Sequence, residues 1–168
     1  MTTSLRGELE AARLIFHFLL DSLSDEELMR HSHNPAWTNK HMLFHMALGF
    51  FLLPILSLLV LVFGRLPAIF SRIFARILNG ATPAFNLINA LGAYGGGRVV
   101  PRSAMYTIFD GVYALSMQIA DHLPAEEWTR GMYYPTAWDA LFTPYMTLED
   151  VFRFPVRHFY THVKQIAR

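Results

Sequence analysis

Near the C-terminus, Arg157-His158-Phe159-Tyr160-Thr161-His162 places two histidines four residues apart. On an α-helix that spacing is just over one turn, so both imidazoles face the same way, close enough to share one metal ion. The same spacing also describes two ordinary polar side chains on the exposed face of a terminal helix. A catalytic metal site needs a third ligand, and His45 is the strongest candidate among the other histidines. It sits among Leu43, Phe44 and Met46 on a segment that is apolar on nearly all sides. An imidazole facing such a core must find a partner, either a hydrogen bond or a metal. His41, four residues earlier, could pair with His45 instead, but it falls in the first turn of the expected helix, where side chains are commonly exposed. Three imidazoles from two helices would leave a coordination position open to water or substrate, the pattern of catalytic rather than closed structural sites. A metal held that way lowers the pKa of bound water or polarises a bound thiol.

Other chemistries are poorly supplied. The chain has no cysteine, which removes thiol nucleophiles, disulfides and Cys-ligated metals. It contains no His-Glu-x-x-His and no Gly-x-Ser-x-Gly elbow. Its 14 Lys+Arg and 13 Asp+Glu give a net charge of +1, without the basic stripe that a phosphate backbone demands, so nucleic acid is not an expected partner.

The elements that must position the histidines read as helices. Four long helical patterns occur, and no convincing alternating strand competes with them. The first runs from about Leu5 to Leu20, with Leu9, Ala12, Ile15, Phe16 and Leu19 on its core face. Ser24 and Glu27 form a capping-box pattern for a short turn through Met29. The second begins at Thr38, whose hydroxyl can cap free amides, and is expected to bend or break near Pro54. A following piece from Pro67 to Leu78 stops at Asn79-Gly80. Residues 81–102, with the triple glycine Gly95-Gly96-Gly97, read as a flexible linker; they lack the ending of a phosphate-binding loop. The third helix spans Ser103 to about Leu123, and Pro124 ends it. Pro124 to Met146 is a long aromatic connection able to wall a pocket or to pack over one end of the bundle. The fourth helix starts at Thr147, capped with Asp150, and should kink at Pro155, one turn before His158. No internal repeat appears, and a single domain over residues 1–168 accounts for the chain.

Hydrophobic residues make up 53% of the chain and charged residues 16%, against about a quarter charged in ordinary soluble domains. The excess comes mainly from residues 41–64, which contain no Asp, Glu, Lys or Arg. That run is long enough to span a bilayer. Pro54, Gly49, Ser57 and the two histidines at its start argue instead for a buried bundle helix or a dimer face. Residues 68–78, with arginines four apart, could lie on a membrane surface. The N-terminus lacks the basic and apolar regions of a signal peptide, and a cytoplasmic location is expected.

The order Leu23-Ser24-Asp25-Glu26-Glu27-Leu28, then Trp37-Thr38 with a histidine eight residues after the tryptophan, then His158-x-x-x-His162-x-x-Gln165-Ile166, resembles the DinB/YfiT-like superfamily of bacterial helical bundles. The resemblance covers most of the chain in order. It implies an all-α, up-down-down-up four-helix bundle, often a homodimer, with His45, His158 and His162 as ligands to a divalent metal, commonly nickel or zinc. His41 stands where the family often has an acid. Relatives are regarded as metal-dependent hydrolases or resemble thiol S-transferases or a thiol-dependent isomerase. The implied reading is thus a metal-dependent enzyme activating water or a low-molecular-weight thiol on a small-molecule substrate, with Tyr160, Tyr134 and Trp138 as candidates to line the pocket. The competing reading is a non-catalytic bundle that binds an apolar ligand, a membrane surface or a partner subunit through residues 50–78.

Overall fold

Side-chain caps set most of the helix starts that matter for the site. Thr2 opens α1 (Thr3–Ser22), accepting a hydrogen bond from the Leu5 amide. Reciprocal capping boxes open α2 (Asp25–Met29) at Ser24/Glu27, α3 (Asn39–Phe63) at Thr38/His41 and α7 (Leu148–Val163) at Thr147/Asp150. In each box a hydroxyl takes the third amide while that residue's side chain returns to the cap amide, satisfying two otherwise free donors. Between α3 and α7 lie α4 (Ala68–Gly80), α5 (Thr82–Val99), α6 (Arg102–His122), a 3-10 turn (Ala125–Thr129) and two short strands, β1 (Gly131–Tyr133) and β2 (Tyr145–Thr147). This computed structural model describes Met1–Arg168, and the fold is all-α apart from the strand pair.

The core is built where α1, α3, α6 and α7 meet. The ring of Phe16 stacks on Phe109 at 4.2 Å, and Phe50 packs against both Phe109 and Phe159. All four phenylalanines are fully buried, each removing enough apolar surface from water to contribute ~1.5–3 kcal/mol. Contacts along the helices set their directions. Arg6 pairs with Asp121 and Arg102 donates to the Leu20 carbonyl, so α6 runs antiparallel to α1. Arg153 pairs with Glu8, and Arg168 at the other end lies over Phe18, so α7 runs parallel to α1. Asn39 bonds Ala167, which sets the start of α3 beside the end of α7.

Three regions differ from the sequence expectation. Helix α3 continues through Pro54 as one element of 25 residues where a bend or break was expected, while α7 runs on through Pro155 as expected. A proline removes one intrahelical hydrogen bond, but both helices are held by core residues before and after it, including Phe50 and Leu53 on α3 and Phe152 and Phe159 on α7. Second, the triple glycine is not a linker. It lies in α5, where a β-carbon at Gly96 would land in the Phe44 ring and one at Gly97 would meet the backbone of His41. Absent side chains let α5 press against α3, the small-residue device for close helix packing; Gly80 likewise ends α4 without left-handed backbone. Third, part of the aromatic connection pairs as antiparallel β1 and β2, with Met132 opposite Met146. Strands of three residues are too short to show alternation in the sequence.

Candidate metal centre

Helix α3 carries His45 in its second turn, and α7 carries His158 and His162 near its end. Asn39, fully buried, ties these regions together: its amide donates to the carbonyls of Glu27 (2.9 Å) and Ala167 (2.6 Å), while its Oδ1 accepts from the Ala167 amide at 3.0 Å. The His33 amide also donates to the Gln165 carbonyl at 2.8 Å. The residues that follow α7 are thereby stitched to the start of α3 and the loop before it. No spacing rule in the sequence identified Asn39, although a polar residue at the start of an otherwise apolar helix was the available signal.

The three imidazoles converge. His45 Nε2 and His158 Nε2 each lie 3.2 Å from His162 Nε2, and the possible ligand atoms of the three residues fall within 4.8 Å of one another. Tetrahedral ligation with metal–nitrogen bonds of about 2.0–2.1 Å separates ligand nitrogens by roughly 3.3 Å, so the two 3.2 Å spacings are compatible with a shared ion. The tautomer of His162 follows from its neighbour. Its Nδ1 lies 3.1 Å from Gln165 Oε1; an amide oxygen only accepts, so Nδ1 carries the proton and Nε2 presents a lone pair inward.

Electrostatics favour the same state. Burial, followed by the charge of His162, lowers the pKa of His45 to about 3. Burial pushes His158 well below the ordinary imidazole value, reinforced by His45 and His162. His162 is lowered by burial, opposed by its Gln165 hydrogen bond and by Asp139. Neutral imidazole is the form that binds a metal. The Nδ1 atoms of His45 and His158 are buried without hydrogen-bond partners, so the hydrogen bonds of these two rings run only within the Nε2 cluster.

Shape completes the cradle. The His158 ring lies against the α3 backbone at Gly49, where a β-carbon would stand 2.7 Å from Nδ1. Gly49 is one turn beyond His45 on the same face. The Trp37 ring packs on His45 at 4.7 Å. Outside the rings opens a pocket of about 290 Å³, lined mainly by Leu48, Leu52, Leu56, Phe85, Trp138 and Phe154, with Asn34, Asn89, Asp139 and Gln165 as polar groups. No lysine or arginine lines it. Asp139 Oδ2 is 3.9 Å from His158 Nε2. Burial raises the Asp139 carboxyl above its usual range, opposed by the Leu141 amide that donates to it and by His162.

Of the aromatic residues expected to wall this pocket, Trp138 does so. Its ring stacks on Phe85 at 4.1 Å and its Nε1 donates to the Leu78 carbonyl at 2.7 Å. Tyr134 lies elsewhere, buried with its hydroxyl donating to the Leu56 carbonyl. Tyr160 points off the exposed face of α7 and does not line the pocket. His41 completes the capping box that Thr38 opens and stacks on Tyr94, outside the cluster. Asp139 and Gly49 went unrecognised in the sequence: the first lies in the irregular connection, the second inside an apolar run.

A family model described as the DinB superfamily matches residues 8–166, nearly the whole chain. No curated protein and no solved structure matches it.

Proposed function

The chain belongs to the DinB superfamily, and we propose that it is a metal-dependent enzyme whose divalent ion, nickel or zinc, is held by His45, His158 and His162. The observation that carries this reading is the convergence of three neutral Nε2 atoms at the floor of an apolar pocket. The donor set fits the ion: three imidazoles, one with its tautomer fixed by Gln165, and no thiolate. Such an ion, when bound, would lower the pKa of water or a small thiol enough to make it a nucleophile at neutral pH.

The remaining roles belong to this chain's own side chains. Asp139 Oδ2, at the edge of the cluster, would take the proton that the nucleophile gives up; its raised pKa favours holding it. Gln165 would keep the His162 ring in register through Nδ1. Leu48, Leu52 and the Phe85–Trp138 pair would exclude water and seat an uncharged arm of a small-molecule substrate. The reaction would be hydrolysis or transfer to a thiol. The test is a panel of ester and amide hydrolysis and thiol-conjugation assays on protein stripped of metal and reloaded with nickel or zinc. Turnover that requires the metal and is lost in both His162→Ala and Asp139→Asn supports the assignment. Turnover indifferent to the metal overturns it.

A further inference from the structure

Helices α4 and α5 present an apolar outer face that nothing in the chain covers. On α4, Ile69, Phe70, Ile73 and Ile77 are all exposed, Ile77 by 63%. On α5, Leu87, Ile88 and Leu91 are exposed by 60% or more. Isolated surface leucines are ordinary, but stripes of large aliphatic residues on consecutive helices mark a surface that another phase or molecule occupies. The adjoining helix α3 adds an exposed stripe of its own at Phe51, Ile55, Leu58 and Val62.

Charge selects the occupant. All 13 acidic residues lie before residue 28 or after residue 109. Within α4 and α5 the charged residues are Arg72, Arg76 and Arg98, all exposed; Arg72 and Arg98 donate to the neutral hydroxyls of Tyr133 and Tyr94, which leave their charge uncompensated. An amphipathic helix with an apolar face edged by arginines, and no acid to repel lipid phosphates, has the composition of one lying in a bilayer interface. Long arginine stems let the guanidinium reach the headgroups while the apolar residues sink below them. A second copy of the chain would bring the same acid-free, arginine-bearing surface, offering those arginines no carboxylate.

We propose that α4 and α5 dock this protein on a membrane surface bearing anionic lipids, with α4 and α5 lying in the interface instead of crossing it. Helix α3 is long and apolar enough to cross a membrane, yet 44% of its most apolar window is buried within the protein and it also carries His45. It is committed to the bundle. Docking would set the inner side of α5 to work as well: Phe85 and Asn89 line the pocket from the helix whose Leu87 and Ile88 face outward. The proposal does not depend on the metal.

Co-sedimentation of the untagged full-length chain with vesicles of phosphatidylcholine, with and without phosphatidylglycerol, tests it. Binding is expected to the anionic vesicles, to weaken with added salt, and to fall about fivefold in Arg76→Gln, the share of one arginine near an anionic surface. Ile73→Asp and Ile88→Asp should each abolish it; both sites are exposed, so circular dichroism and the unfolding midpoint should match wild type. Should either aspartate variant misfold, the Arg76→Gln shift and the salt dependence decide. Absence of binding, equal binding to both vesicle types, or a dimer in vesicle-free buffer that Ile73→Asp dissociates while no vesicle is bound would overturn the proposal.

Discussion

Gly49→Ala separates the metal cradle from the fold that carries it. A methyl at this position would meet His158 Nδ1 at 2.7 Å and Cε1 at 3.2 Å. Ordinary contact begins near 3.4 Å, so the ring must retreat by about 0.7 Å, while metal–ligand distances tolerate only about 0.2 Å. Disturbing ligand placement from just outside the coordination shell typically costs 10–100-fold in affinity, and a loss in that range is expected here. Stability responds differently. No glycine in the chain has positive φ, so alanine at this helical site gains ~1 kcal/mol of helix propensity, offset by ~1–3 kcal/mol of overpacking against the ring. Competition titration with a chromophoric chelator gives the affinity, and urea unfolding of the metal-free protein gives the stability. A variant that keeps wild-type affinity would refute the claim that the His158 ring, seated on Gly49, is a ligand.

Other perturbations probe other parts of the account. Asn39→Ala leaves the Ala167 carbonyl and amide without their side-chain partner beside a fully buried site, while the Glu27 carbonyl keeps the Arg30 amide; at the low end of ~1–3 kcal/mol for each unsatisfied part-buried group, urea unfolding should show a loss of about 2 kcal/mol. Metal-free stability should depend on acid in a defined window. Because folding depresses the pKa of all three histidines, the unfolded chain binds more protons below its imidazole value of about 6.5. Stability should therefore be full above that pH and decline as pH falls toward the His45 value of about 3; a shallower decline in His162→Ala/His158→Ala/His45→Ala protein, with the remainder due to His41 and the paired carboxylates, would tie the difference to the cluster. Gly96→Leu should force α5 off Phe44, lowering the unfolding midpoint and raising protease cleavage between residues 81 and 101.

Much of the fold was legible because the signals were local. Ser24/Glu27, Thr38 and Thr147/Asp150 cap helices where their spacing says they should, since a cap needs only residues within one turn. The two histidines four apart, and a third inside an apolar helix, were legible as candidates for the same reason. What stayed hidden depends on partners distant in sequence. The glycines of α5 read as a flexible linker because their function is to admit Phe44 and His41 of another helix. Pro54 read as a bend or break because the packing that carries α3 past it is tertiary. Asn39, Gly49 and Asp139 acquire meaning only when α7 lies against α3 and the irregular connection folds over both. Tyr134 illustrates the converse: an aromatic in a pocket-walling segment whose hydroxyl is taken by Leu56.

The central claim is that His45, His158 and His162 hold one metal ion. A crystal of native, untagged protein, with diffraction collected on both sides of the nickel and zinc absorption edges, tests it most directly. The account predicts a single anomalous peak per chain bonded to the three Nε2 atoms, absent from His162→Ala crystals grown the same way. A peak bonded elsewhere, or rings that remain hydrogen-bonded to one another with no peak after soaking in either metal, would contradict it.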